Sequence, residues 1–288
     1  MTLNLQRTGV QAHSKSDQTL VSQADLFVQA AITHHLNELT PGLAILAEET
    51  PELLTTNATV RKLVDAQLTA QGIGEGSVSL LSKAEHSVNQ NEYWCLDPID
   101  GTRGFLRGDH YAIALARINR GRVVQSFLCC PRLRGYGVLF TGQDTHYEAM
   151  RLDSGRRIPQ QSADVKGPPI LIESLELGPL SESFTRGLKE KLGWNEPSTR
   201  MDSQSKYGAL TLGDAHCYLR PPRNLDAREY SWDHAAGAHI VEMAGGQVTD
   251  FDGNPLDYST GAKLHNNRGV LATMGVDHAT ALSSIAGI

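Results

Sequence analysis

The 288-residue chain lacks most of the features that would assign it quickly to a class. No apolar run approaches 18 residues and no charged-then-apolar leader opens it, so neither a membrane span nor a secretory signal is expected and cytoplasmic residence follows. Its four cysteines, Cys95, Cys129, Cys130 and Cys217, make no C-x-x-C pair and no zinc spacing, so reduced, partly buried thiols are expected. Positive charge is also in deficit. Lys and Arg number 26 against 32 Asp and Glu, and the net charge of -6 provides no basic field for a nucleic acid polymer or an anionic membrane. There is no G-x-x-x-x-G-K-[ST] phosphate loop and no H-E-x-x-H, and the run Gly72-Ile73-Gly74-Glu75-Gly76 reads as the end of a helix. A thiol phosphatase needs an arginine six residues after its nucleophile to grip the phosphate, yet Gly135 and Tyr136 occupy those positions after Cys129 and Cys130.

What the chain does have is one dense stretch, Leu96-Asp97-Pro98-Ile99-Asp100-Gly101-Thr102-Arg103-Gly104-Phe105-Leu106-Arg107. Pro98 fixes its own φ and biases Asp97 towards extended backbone, so both carboxylates can face one point. Two carboxylates held that close repel unless one is protonated or a cation joins them, and hard oxygen ligands favour Mg²⁺, Mn²⁺ or Ca²⁺. Gly101 and Gly104 let backbone N–H groups approach an anion where Thr102 to Phe105 open a helix. An Asp-Pro turn leading into an Asp-capped helix accounts for the same residues without a ligand, and the stretch alone does not choose between the two.

The rest of the chain is 40% hydrophobic and 20% charged, enough to bury one large or two medium cores. Apolar spacing predicts a helix over 23–39 and a second over 58–70, capped by Asn57 and stopped by Gly72. Between them Leu43 to Ala47 reads as a buried strand ending at Glu48-Glu49. Tyr111 to Ile118 and Val123 to Cys130 read as a hairpin, with Gly137 to Thr141 continuing it. The polar stretch from Leu152 to Pro169 suggests a boundary, dividing the chain into 1–164 and 165–288. Beyond it, strands at 169–173 and 215–220 alternate with helices at 180–191 and 232–244, an α/β pattern.

Three further acidic positions have two readings each. Adjacent carboxylates at the end of a buried strand, Glu48 and Glu49, are costly unless something positive meets them, so one is expected to ligate metal. Asp233 suits a helix cap as well as a metal ligand. Asp25 stands third in its helix after Ser22, as in a capping box.

Glu48-Glu49, then Asp97-Pro98-Ile99-Asp100-Gly101-Thr102, then Trp232-Asp233-His234-Ala235-Ala236-Gly237 with Glu242-Met243-Ala244-Gly245-Gly246, resemble in order and spacing the inositol monophosphatase-like superfamily of metal-dependent, lithium-sensitive phosphatases. Within it, Arg103-Gly104-Phe105-Leu106-Arg107-Gly108, Cys130-Pro131 and Asp202-Ser203-Gln204-Ser205-Lys206-Tyr207 look most like the 3'(2'),5'-bisphosphate nucleotidases. The resemblance runs from about Ser14 to Gly275. It implies a layered αβαβα sandwich, with an N-terminal α+β part carrying most metal ligands and a C-terminal α/β part completing the site.

The resemblance also implies roles. Glu48, Asp97 and the Ile99 carbonyl would hold one metal; Asp97, Asp100 and Asp233 a second; Glu49 would support them. Thr102 and Asp25 would orient and deprotonate the attacking water, Asp25 capping its helix with one oxygen and serving with the other. Gly101, Thr102, Asp202, Ser203, Lys206, Arg220 and Asp233 would contact substrate, with Arg103, Arg107 and Arg223 as further candidates. Two or three Mg²⁺ ions are implied, with Mn²⁺ as a substitute and Li⁺ or Na⁺ inhibitory. The implied substrate is 3'-phosphoadenosine 5'-phosphate, hydrolysed to AMP and phosphate, with 3'-phosphoadenylyl sulfate as a second. An inositol monophosphatase or inositol polyphosphate 1-phosphatase would share the metal ligands, and an inactive relative would bind the nucleotide without turnover. Three departures stand out. Only about thirteen residues precede Ser14-Lys15-Ser16-Asp17, where the family carries a helix. Ser174-Leu175-Glu176-Leu177-Gly178-Pro179-Leu180-Ser181 replaces a His-Ser-Ser-His-like stretch. Arg103 stands for the usual lysine.

Overall fold

The structure, a computed structural model, describes residues 6, 12–14, 20–85, 90–160, 167–175, 178–224 and 226–286. Lys15 to Asp17, and Glu176 and Leu177 of the Ser174 to Ser181 stretch, lie outside the described residues.

The elements run β1 (Ala12–Ser14), β2 (Leu20–Ser22), α1 (Gln23–Leu39), β3 (Ala44–Ala47), α2 (Glu52–Thr56), α3 (Ala58–Ala70), α4 (Ser77–Leu81), β4 (Ala84–Glu85), β5 (Glu92–Asp100) and α5 (Thr102–Arg107). There follow β6 (Ala112–Asn119), β7 (Arg122–Cys130), β8 (Val138–Gln143), β9 (His146–Arg151), β10 (Arg157–Ile158), β11 (Leu171–Glu173), α6 (Pro179–Leu192), β12 (Thr199–Arg200) and α7 (Ser205–Thr211). The chain closes with β13 (Cys217–Arg220), α8 (Ala235–Met243), β14 (Gln247–Thr249), β15 (Val270–Thr273) and α9 (His278–Ile285).

Strand alternation builds the layers. In β5, Tyr93 and Cys95 face one core while Trp94 and Leu96 face another, because successive side chains leave opposite faces of a strand. The large sheet, ordered β10-β9-β8-β7-β6-β5-β3-β4, therefore buries both sides. On one side α1 meets β3 and β5 through Leu36, Ile45 and Leu96, and packs on α2, α3 and α4 through Leu26, Phe27, Leu54, Val64 and Leu80. On the other lie α7 and α8, buried along most of their length. A second sheet, ordered β12-β11-β13-β15-β14, covers those helices with Tyr218, Val270 and Ala272 and turns Cys217, Leu219 and Leu271 outwards onto α6 and α9. The result is the expected αβαβα sandwich. Its largest core runs continuously from Ala112 and Leu128 of the first sheet to Ala272 of the second. Among the described residues, no helix is long and apolar enough to cross a membrane.

Most element boundaries agree with apolar spacing to within two residues, including the Asn57 cap, whose side chain accepts from Thr59 N and Val60 N. The expected helix over 232–244 is a correction. A 3₁₀ turn over Ser231–Asp233 precedes α8, and His234 between them has non-helical φ/ψ of -134° and -33°. His234 is drawn out of helical geometry where its ring meets the Tyr207 hydroxyl at 2.7 Å.

The middle layer depends on a close approach of α7 and α8. A Cβ built on Gly237 would lie 2.2 Å from the Tyr207 ring. Alanine there would gain helix propensity of about 1 kcal/mol, but overpacking a filled core costs about 1–3 kcal/mol or more. Gly237→Ala is expected to lower unfolding free energy by about 2 kcal/mol in urea titration; unchanged stability would mean that the two helices can separate at no cost.

Candidate functional site

The site forms where the C-terminal ends of β3 and β5 lie side by side. Parallel pairing sets Ala47 against Leu96, and Glu48 N donates to Leu96 O at 3.3 Å, which brings Glu48 beside Asp97. The β5–β6 register then slips between Asp97 and Asp100, as a strand carrying Pro98 must, because proline has no N–H for the ladder. Gly101 turns the chain with φ +85° into α5, and a Cβ on it would meet the Ser203 Cβ at 3.0 Å. Gly104 is more constrained, since its Cβ would fall 2.2 Å from His110 O.

Around this corner opens a cleft of about 790 Å³. Glu48, Asp97, Ile99, Asp100, Gly101, Thr102, Asp202, Ser203, Lys206, Arg220 and Asp233 all line it, as do Arg103 and Arg223. Thus all the sequence-expected metal positions, and all the expected substrate positions, share one cavity. Asp25 and Glu49 stand behind its surface, at 0% and 4% exposure. Glu49 is tied to α1 through its backbone, with Gln29 Nε2 donating to its carbonyl at 2.7 Å and its N–H donating to Gln29 Oε1 at 2.9 Å. Arg107 ion-pairs with Asp202, strapping α5 to the segment ahead of α7.

Carboxylate oxygens of Asp97, Asp100 and Asp233 converge within 4.8 Å of one another. Asp97 is 1% exposed, and its Oδ1 is buried with no hydrogen-bond partner among the described residues. Such an orphaned oxygen is costly unless something positive meets it. Burial, and then Glu48, Asp100 and Asp233, push the Asp97 carboxyl well above the usual carboxylate range. Burial and Asp233 push Asp100 up to about 7, against the pull of Lys206 and of the Gln204 N–H, which donates to Asp100 Oδ2. Asp233 is raised too, by burial against the opposing pull of Arg220. Its side chain caps no helix, so the cap reading does not hold. All-oxygen donors packed this tightly, with one oxygen unsatisfied, fit a hard divalent cation.

Asp25 divides its carboxylate between two partners. Oδ2 accepts from the backbone N and the hydroxyl of Ser22, completing the capping box, while Oδ1 accepts from the Thr102 hydroxyl at 3.1 Å. Thr102 also lies 3.3 Å from Ile99 O. The cationic wall is equally built. Lys206 is 3% exposed, donates to Met201 O at 3.3 Å and lies 5.1 Å from the Tyr218 ring centroid. Burial lowers its pKa to about 8, Asp100 opposing.

Sequence reading missed three members. Gln204 sits inside the Asp202 to Tyr207 motif, and its side chain ties α7 to Trp232 O at 2.8 Å and to Gly237 N at 2.9 Å. Glu229 and His234 flank Asp233. His234 stands inside the Trp232 to Gly237 motif, whereas proximity in sequence was the only signal for Glu229, since a charged residue ahead of a helix ordinarily faces water.

Residues 2–284 match the family model described as the inositol monophosphatase family. The chain is 36% identical to a 3'(2'),5'-bisphosphate nucleotidase of Oryza sativa, covering 93% of this chain and 83% of that one. It is 38% identical to a probable 3'(2'),5'-bisphosphate nucleotidase 4 of Arabidopsis thaliana, covering 90% and 82%. Among solved structures it is similar in fold to the Thermotoga maritima IMPase, with TM-score 0.67 and 20% identity over 99% of this chain and 91% of that one.

The raised Asp100 pKa has a definite sign in stability. Below about pH 4 the carboxyl is protonated in both states and costs nothing. From about pH 4 to 7 the unfolded chain ionises first, so stability is lost, by about 4 kcal/mol at most. In EDTA, Asp100→Asn is therefore expected to raise the melting temperature over the parent at pH 8 and to change it little at pH 4.5; an equal effect at both would contradict the shift.

Proposed function

The chain belongs to the inositol monophosphatase family, and from that footing we propose that it is a divalent-metal-dependent phosphatase that removes the 3'-phosphate of 3'-phosphoadenosine 5'-phosphate, giving AMP and phosphate. 3'-Phosphoadenylyl sulfate is the second substrate of the same reading. The observation that carries it is the orphaned Asp97 oxygen among converging acids, set against a buried lysine and a partly buried arginine lining the same cleft. The nucleotidase names of relatives at 36% and 38% identity support the choice of substrate.

Glu48, Asp97 and Ile99 O would hold one Mg²⁺, and Asp97, Asp100 and Asp233 another, with Glu49 behind them; a third ion, replacement by Mn²⁺ and inhibition by Li⁺ or Na⁺ belong to the same reading. When bound, the cations supply Lewis acidity towards water and the phosphoryl oxygens. The chain's own residues do the rest. Thr102 accepts a hydrogen bond from the attacking water and passes its own proton towards Asp25, whose Oδ1 already accepts from it. Gly101 lets the Thr102 and Arg103 N–H groups, which lack intrahelical acceptors, face the phosphate. Lys206 and Arg220 offset the charge of a substrate that would otherwise meet a wall of carboxylates. Cytoplasmic residence, supported by four cysteines that stand as free thiols, completes the reading.

A phosphate-release panel with Mg²⁺ tests it. The purified chain is expected to hydrolyse 3'-phosphoadenosine 5'-phosphate in preference to inositol 1-phosphate and to lose activity as Li⁺ is added; hydrolysis of the inositol ester alone would sink the nucleotide assignment. Thr102→Ala is expected to lower kcat by about a hundredfold or more, the range for loss of acid–base assistance, with little change in melting temperature. A kcat within threefold of the parent would remove Thr102 from the proton path.

A further inference from the structure

Arg220 stands where two carboxylates compete for it. It ends β13, lines the cleft and has a side chain 27% exposed. Its Nε donates to Glu229 Oε2 at 2.6 Å, and its Nη2 donates over a longer 3.4 Å to Asp233 Oδ2. Asp233 is also one of the three acids converging as a cation site. A guanidinium tends to form a two-point pair with a carboxylate, and such a pair on Asp233 would neutralise one of the oxygen donors there. We infer that Glu229 is a positioning residue that limits the Arg220 guanidinium to one long contact with Asp233, leaving that carboxylate able to meet the cation and the other Arg220 donors able to meet the substrate anion. The inference rests on the function proposed above for the identities of cation and anion.

Glu229 can act this way because it is itself held. Its side chain is 10% exposed and its Oε2 lies 3.5 Å from His234 Nε2. The His234 ring has its Nδ1 2.7 Å from the Tyr207 hydroxyl, and Tyr207 is locked in α7 against Gly237. A line of contacts thus runs from the middle helical layer through His234 and Glu229 to the guanidinium. Burial raises the Glu229 carboxyl, but Arg220 and His234 outweigh it and bring the pKa to about 2, so the anchor stays charged throughout the neutral range. Were Glu229 only a structural partner, its loss would lower stability and leave the Asp233 donor and Arg220 geometry unaltered.

The test compares Glu229→Gln, which keeps the shape and removes the charge, with the parent and with Glu229→Asp, on the full chain. Mg²⁺ binding is measured by calorimetry. The Arg220 Nε–H signal is followed by NMR in the metal-free chain, assigned through Arg220→Lys. KM and kcat are measured at saturating Mg²⁺. In Glu229→Gln, Mg²⁺ affinity is expected to fall about tenfold, the scale for loss of a group that orients a ligand. The Arg220 signal should shift, and KM should rise about tenfold with kcat within about threefold; Glu229→Asp should recover part of each. A lowered melting temperature with unchanged Mg²⁺ affinity and an unchanged Arg220 signal would overturn the inference. If the parent hydrolyses none of the panel, the proposed function fails, while Mg²⁺ affinity and the Arg220 signal still decide the role of Glu229. A parent that binds no Mg²⁺ overturns both.

Discussion

The constraint on which this molecule turns is electrostatic. Asp97, Asp100 and Asp233 are brought together at the floor of a cleft, where removal from water and mutual repulsion both oppose their charge. Such an arrangement arises only where the backbone leaves the side chains no alternative. Parallel pairing of β3 with β5 fixes Glu48 beside Asp97; the slip at Pro98 aims Asp100 at the same point; and the 3₁₀ turn between β13 and α8 delivers Asp233. Each acid is supplied by a segment whose course is already set by apolar packing on both sides. The hydrophobic layers stabilise a polar centre that would be unfavourable alone.

The positive groups complete that arrangement. Lys206 pulls against the desolvation of Asp100, and Arg220 does the same for Asp233 while also meeting Glu229. Because these cations sit on α7 and β13, and most of the acids sit around β5, the two halves of the sequence are joined across the cleft by charge as well as by the shared apolar core.

Much of this was legible in the sequence, and the reasons differ by residue. Helix α3 could be read because Val60, Val64 and Leu68 recur at helical spacing between a capping Asn57 and Gly72. Asp97 and Asp100 stood out because proline and glycine punctuate them, but that stretch fits a capped turn equally well, and only its match in order with Glu48 and Asp233 to a known family favoured a metal site. Asp25 could be placed as a cap from the Ser22 to Asp25 spacing, while its pairing with Thr102 was implied only by the family resemblance. The break at His234 could not be read: the run from Trp232 to Ala244 has unbroken helical character, and the partners that its ring meets, the Tyr207 hydroxyl and Glu229, are set by the tertiary fold. Glu229 was hidden for the same reason. Its burial depends on Arg220 and His234 closing over it in three dimensions, and no periodicity records that.

The Asp25 carboxylate carries one further consequence. One of its oxygens secures the beginning of α1 through Ser22, and the other accepts the Thr102 hydroxyl at the edge of the cleft. The start of the longest helix and the proposed proton path therefore share a single side chain. No replacement can tune one and spare the other: shortening or neutralising this group loosens the helix and misaligns the hydroxyl in the same event.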